Sequence, residues 1–393
     1  MSTRGSRRPA AWLVVAFLPV ATAASQDPGQ PVTRQEIEDL KRQLVQETRS
    51  SLELQFDGHG ETGDLNDELA FRRYGARVNL RLNPETTFHL AVHRTPYRSG
   101  DGVLESSATG VTAGVRSRPS ERREWGVDLS GTRFEDGEWS LTGLASLTLK
   151  PSESLRYTVS AQRSNVEESI LSVAGLRPSR GPFAGDLVGA VRDNRLVAAL
   201  AYRLPARMDL FAEAGVGSRS GSRVDGNLFT RAGAGLGFAA VARGEQSALS
   251  LLRLSASFDY FGFDEDRLGY GGASLVDRRG QRVPLELVGS DGISPLPSES
   301  NPGIGGYFSP SRFDSRVLRA EARGRASPSV DYAAAAFVGS QSFTGASRRR
   351  ARGVSASVTF RFSERLSLPA TYAWDDFGPF AQQSFLARLV ILF

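Results

Sequence analysis

The 393-residue chain contains no cysteine. That excludes disulfides, thiol catalysis, thiolate metal sites and a bacterial lipoprotein anchor. Lysine is nearly absent: Lys41 and Lys150 stand alone, so arginine carries the formal charge of +5. The arginines are scattered, and no basic block marks a nucleic-acid surface. Histidine occurs three times, at His59, His89 and His93. His89 and His93 lie four residues apart on an alternating stretch, about 13 Å along a strand, too far to share one metal ion. Neither a metal nor a cofactor is expected. Beyond the N-terminus there is no apolar run of about 18 residues, so no transmembrane helix is expected in the mature chain. A membrane barrel needs no such run, because its apolar residues alternate with lumen residues.

The start of the chain reads as a secretory signal over 1–24. Arg4, Arg7 and Arg8 are its charged start, Ala10 to Val20 its apolar segment, and Ala21-Thr22-Ala23 its small residues for cleavage. Residues 25–49 read as a periplasmic linker and a short helix. Pro28, Gly29 and Pro31 break regular structure. Thr33 and Glu36 then form a capping box ahead of Ile37, Leu40 and Leu44 at helical spacing.

From residue 50 to 393 the period changes to two. Tyr74, Ala76, Val78, Leu80 and Leu82 alternate with Arg73, Gly75, Arg77, Asn79 and Arg81. Leu252, Leu254, Ala256, Phe258 and Tyr260 alternate with Arg253, Ser255, Ser257 and Asp259. Such segments approach the roughly ten residues a tilted strand needs to cross a bilayer. Every second connection is short, as at Asn83-Pro84-Glu85 and Ser327-Pro328-Ser329. The others are mostly longer, notably 165–194 and 262–313. The pattern predicts an all-β transmembrane antiparallel barrel of about 16 strands, with short periplasmic turns and long extracellular loops. A count of 14 or 18 remains open, since 165–194 has room for two more strands. An even count puts both termini on the periplasmic side of the outer membrane of a Gram-negative bacterium. The final strand carries Leu389, Ile391 and Phe393 in one apolar row. It resembles the C-terminal signal that the outer-membrane assembly machinery recognises.

A barrel of this size leaves a wet lumen. The candidate lumen-lining residues are Arg73, Arg77, Arg81, Arg156, Arg203, Arg231, Arg253, Arg319, Arg323 and Arg361. Their excess over inward carboxylates predicts a net positive lumen that steers anionic solutes. Gly233, Gly235 and Gly237 also face inward, as lumen space or a strand bend, with no helix after them to make a nucleotide loop.

Residues Gly305-Gly306-Tyr307-Phe308-Ser309-Pro310 close the long loop. This motif resembles one in the C-terminal barrel of the cellulose synthase operon protein C family, to which the poly-N-acetylglucosamine export porin has a related barrel. Weaker echoes are Gly217 to Asn227 and His93-Arg94-Thr95-Pro96-Tyr97. The resemblance covers roughly residues 70–393. It implies a non-enzymatic outer-membrane pore that exports an exopolysaccharide from periplasm to cell surface. The six motif residues become candidates for polysaccharide contact or a gate. Paired glycines permit a close backbone approach, and Tyr307 and Phe308 either stack on sugar rings or anchor the loop. The family usually carries a helical repeat array before the barrel, and here only the helix near 33–49 stands there. A separate periplasmic scaffold or an inner-membrane synthase is therefore the implied partner, beside the polysaccharide and the lipid bilayer. The alternatives are a general or anion-preferring nutrient porin and, with less support, an outer-membrane hydrolase. No G-x-S-x-G elbow supports the hydrolase.

Overall fold

The computed structural model describes residues 49–63, 69–99, 104–135, 137–177, 183–244, 247–265, 276, 281, 309–344, 347–377 and 380–393. The expected signal, linker and short helix lie outside the described residues, apart from Arg49 at the helix end. So do Gly305, Gly306, Tyr307 and Phe308 of the candidate gate.

Alternation produces sixteen strands. They are β1 (Ser51–Gly63), β2 (Leu69–Asn83), β3 (Thr86–Ser99), β4 (Glu105–Ser120), β5 (Arg123–Phe134), β6 (Trp139–Leu149), β7 (Leu155–Asn165) and β8 (Gly189–Leu204). The second half comprises β9 (Met208–Ser222), β10 (Val224–Ala242), β11 (Leu251–Phe263), β12 (Phe313–Ser327), β13 (Val330–Phe343), β14 (Arg349–Arg361), β15 (Leu366–Asp376) and β16 (Phe380–Leu392). Each strand pairs with its sequence neighbours, and β1 pairs with β16 from Ser51↔Leu392 to Gly63↔Phe380, so the sheet closes on itself. Closure satisfies the backbone donors and acceptors that hydrocarbon cannot. The register places Leu389 opposite Leu54 and Ile391 opposite Leu52, while the Phe393 N–H donates to the Ser50 carbonyl at 3.0 Å. The last strand thus seals the barrel against the first.

Every strand carries at least one large, exposed apolar side chain on one face. Leu141 is 67% exposed and Leu318 62%, and Leu82, Leu129, Trp139, Val216 and Val338 share that face. An exposed belt of this extent fits a bilayer and not water. The ten candidate arginines occupy the opposite, inward parity.

Inward glycines make room for neighbours that lie flat on the wall. A Cβ on Gly235 would overlap the Phe211 ring, and one on Gly114 would overlap His89 and the Asp128 carboxylate. The row of Gly233, Gly235 and Gly237 is therefore not empty lumen. The Asp259 carboxylate, the Phe211 ring and the Arg253 guanidinium fill that space in turn. His59 is part of β1 and stacks on Phe71 with ring centroids 5.2 Å apart.

Connections differ at the two ends. At one end they are short: two residues join β2 to β3 and two join β12 to β13. At the other end lie the segments 166–188 and 264–312, although β9 and β10 are joined there by Arg223 alone, at φ 57°.

Candidate pore constriction

The stretch between β7 and β8 is neither two further strands nor an outer loop. It folds inward. Its first turn is a short helix, α1 (Ile170–Val173). Ser169 caps it: its Oγ accepts from the Ser172 N–H at 3.0 Å, and the Ser169 N–H donates to Ser172 Oγ at 2.8 Å. Ser172 Oγ in turn donates to the Val166 carbonyl at 2.8 Å. Beyond α1, Leu176 and Val188 exchange backbone bonds of 2.8 and 2.9 Å and close the segment into a small lobe. Gly189, at φ 94°, returns the chain to the wall, where a Cβ would run into the Leu171 carbonyl.

Apolar residues of the lobe find partners on two sides. Ile170, Val173 and Ala174 pack with Leu69, Tyr97, Ala108 and Phe134 from β2 to β5. Val166, Leu171, Phe183 and Val188 pack with Val191, Val224, Phe229 and Phe263 from β8 to β11. Ile170, Leu171, Val173 and Phe183 are all essentially inaccessible to solvent. Burial of each such side chain contributes roughly 1.5–3 kcal/mol, so the lobe is a packed body inside the barrel mouth.

Two consecutive carboxylates tie it across the lumen. Glu167 Oε1 accepts from Arg73 Nη2 at 2.8 Å and from the Tyr97 hydroxyl at 3.2 Å. Arg73 is itself oriented by Thr95 Oγ1 at 3.1 Å and stands 3.5 Å from Asp57. Glu168 Oε1 accepts from Arg219 Nη1 at 2.7 Å, and Arg219 Nε donates to Asp193 Oδ2 at 3.1 Å. The Arg219 guanidinium also lies 5.4 Å from the Phe263 ring centre. Arg73 is on β2 and Arg219 on β9, nearly opposite on a ring of sixteen strands. The chain Arg73–Glu167–Glu168–Arg219 is thus a bar across the lumen at the end with the long connections.

The other candidate residues divide. Arg231 pairs with Glu213, Arg253 with Asp209, Arg323 with Glu321 and Arg361 with Asp331. With Arg73, half of the ten arginines stand beside a carboxylate. The expected positive excess is correspondingly reduced on the β9–β14 wall. Among the described residues, Arg77, Arg81, Arg156, Arg203 and Arg319 make no ion pair; Arg77 Nε donates to Asn79 Oδ1 at 3.0 Å and Arg81 Nη1 to Thr87 Oγ1 at 3.4 Å. His89 is committed to Asp128, 2.8 Å away.

Of the candidate gate, Ser309 and Pro310 are described. Both are buried, and the Pro310 carbonyl accepts from the Phe263 N–H at 3.0 Å. Three residues on, Phe313 stacks on Phe261 at 4.6 Å. The end of the predicted gate loop therefore meets the infolded segment at Phe263. That segment has no period-two alternation to mark it. Its sequence signals are the capping pair Ser169 and Ser172, the apolar run Ile170-Leu171 with Val173, and the adjacent acids Glu167 and Glu168.

The family model for the C-terminus of cellulose synthase operon protein C matches residues 69–272, more than half of the chain. No curated protein matches the chain. Among solved structures, a bacterial polysaccharide outer membrane secretin aligns over 88% of this chain and 99% of its own, with 12% identity and a TM-score of 0.60. CdiB from Acinetobacter baumannii aligns over 87% of this chain and 60% of its own, with 11% identity and a TM-score of 0.44. OccK5 from Pseudomonas aeruginosa aligns over 88% and 98%, with 10% identity and a TM-score of 0.39. A closed barrel with an apolar belt and a polar, constricted lumen is an outer-membrane pore, and the chain belongs to the family of cellulose synthase operon protein C C-terminal barrels.

Proposed function

We propose that this barrel is the outer-membrane exit for an exopolysaccharide, and that segment 166–188 holds the exit closed until polymer arrives. The observation that carries the reading is the bar from Arg73 through Glu167 and Glu168 to Arg219, set in a barrel of this family. The lobe is packed against the wall on two sides and tied to it by ion pairs, so it obstructs the path. The secretin that shares the fold is a polysaccharide protein by its own name. In this reading both termini and the short turns face the periplasm, and the long connections face outward.

Transport is passive at this component. A synthase or periplasmic scaffold on another chain pushes the polymer from below. Inward arginines, among them Arg77, Arg81, Arg156, Arg203 and Arg319, donate hydrogen bonds to sugar hydroxyls or carboxylates. Contacts that are weak and repeated let the polymer enter and leave. The bar parts when polymer hydroxyls replace Arg73 as the partner of Glu167. Gly305, Gly306, Tyr307 and Phe308, with Ser309 and Pro310 seated at Phe263, complete the gate from the neighbouring loop.

Single-channel conductance in a planar bilayer tests this. Wild type is expected to be closed or flickering. The Glu167→Gln/Glu168→Gln double variant and a deletion of 296–312 are each expected to open it, and oligosaccharide is expected to block the open form. A wild type that is steadily open, unchanged by either alteration and indifferent to oligosaccharide, would instead make it an ordinary porin.

A further inference from the structure

On the outer face, two adjacent cross-strand rows run obliquely through β9 to β15. One is Leu210–Leu236–Ala256–Leu318–Val338–Arg352–Asp376, each residue register-paired with the next. The other is Ala234–Phe258–Arg316–Ser340–Arg350. Together they line one concave groove of about 1350 Å³. The first row is apolar from β9 to β13 and turns basic at Arg352 on β14; the second is apolar on β10 and β11 and carries Arg316 on β12 and Arg350 on β14. Small residues at Ala234 and Ala256 make the dip between Leu236, Phe258 and Leu318.

The geometry has the scale of a lipid. Five strand spacings from β9 to β14 cover roughly 24 Å. With strands tilted by about 40°, that row climbs roughly 15 Å, the hydrocarbon depth of one leaflet. Its upper end lies where β14 begins, beside the long connections. Three outward guanidinium groups meet there. Arg352 is paired with Asp376 at 2.8 Å and lies 5.7 Å from the Trp374 ring centre. Among the described residues neither Arg316 nor Arg350 makes an ion pair. Outward charges without partners belong at headgroup level, where phosphate is the complementary anion.

A second outer groove, of about 860 Å³, is the internal contrast. Both of its arginines are already engaged: Arg163 donates to the Leu141 carbonyl at 3.2 Å and to Asn194 Oδ1 at 3.2 Å, and Arg195 to Gln162 Oε1 at 2.6 and 3.0 Å.

We propose that the larger groove is a seat for one phosphorylated glycolipid of the outer leaflet, of the lipid A class. Arg316, Arg350 and Arg352 hold a phosphate, and an acyl chain lies along Val338, Leu318, Phe258 and Leu236. The proposal rests on the long connections facing outward; it requires no polymer export.

The test is lipid retention by the full barrel, extracted from native outer membranes in mild detergent. Native mass spectrometry counts bound lipid, and acyl analysis reads 3-hydroxy fatty acids, the mark of this glycolipid class. Wild type is expected to keep about one such lipid per barrel. The Arg316→Gln/Arg350→Gln/Arg352→Gln variant is expected to lose at least fivefold. Val338→Trp fills the groove without touching charge and is expected to lose a similar amount, while Arg163→Gln keeps the wild-type level. A heat-dependent gel shift verifies that each variant is folded. Equal retention by wild type and the triple variant, an equal loss in Arg163→Gln, or retention of glycerophospholipid alone would each overturn the assignment. Conductance is read separately, so failure here leaves the export reading standing, and the reverse.

Discussion

Glu167 and Glu168 are neighbours in sequence, yet their carboxylates settle in different surroundings. Glu168 is enclosed: its side chain is 13% exposed, that of Arg219 11%, and Asp193 and the Phe263 ring close the arginine in. Glu167 faces a wetter space. Its side chain is 33% exposed and that of Arg73 26%, with a hydroxyl on each side of the pair. Water competes for the second pair and hardly reaches the first. The two ties therefore have different duties. The Arg219 end is the anchor of the infolded segment, and the Arg73 end is the latch that parts first.

The largest effect is expected at the anchor. Arg219→Ala removes the guanidinium that bridges the Glu168 and Asp193 carboxylates. Removing one partner from a buried ionic cluster costs about 3–5 kcal/mol. The segment should leave the lumen, giving a steady open level in the planar bilayer and protease cuts within 166–188 while the barrel itself stays folded. A closed, protease-resistant Arg219→Ala barrel would show that apolar packing alone seats the lobe.

A smaller effect is expected where the lobe rejoins the wall. Gly189→Ala adds a Cβ at positive φ against the Leu171 carbonyl. Strain of this kind costs about 1–3 kcal/mol and pushes α1 away from β8. Intermediate open probability is the expected readout, with proteolysis faster than wild type and slower than Arg219→Ala. If Gly189→Ala opens the pore more than Arg219→Ala, the anchor is the backbone turn and not the ion cluster.

How much of this was readable beforehand follows from the solvent. Bilayer and lumen impose opposite preferences on the two faces of a strand, so Leu80 and Leu82 against Arg77 and Arg81 declare both period and orientation. Short turns such as Pro84-Glu85 then fix the pairing. The constriction was hidden because its contacts are remote in sequence. Ninety-four residues separate Glu167 from Arg73, and no spacing rule joins them. Its apolar residues are too few for a recognisable helix, and their partners Tyr97, Phe134, Phe229 and Phe263 sit at strand ends, where aromatics also mark a membrane interface. The paired state of Arg231 and Arg253 was hidden for a related reason. Inward parity is visible in sequence, but which carboxylate faces which guanidinium depends on register.

The smallest expected effect is also the most direct measure of the asymmetry. Glu167→Gln keeps the shape of the latch and one acceptor for Arg73 and Tyr97, losing only the charge. Water reaches both members of the pair, so the loss should be about 1 kcal/mol, or about a fivefold gain in open over closed population. Double-mutant cycles on the closed–open equilibrium extend this. Arg73→Gln with Glu167→Gln should couple weakly, by roughly 0.5 kcal/mol, and Arg219→Gln with Glu168→Gln by about 1.5 kcal/mol or more. Equal couplings would mean that both ends release together. A stronger coupling at Arg73 would reverse latch and anchor, and the polymer would then have to dislodge Arg219 first.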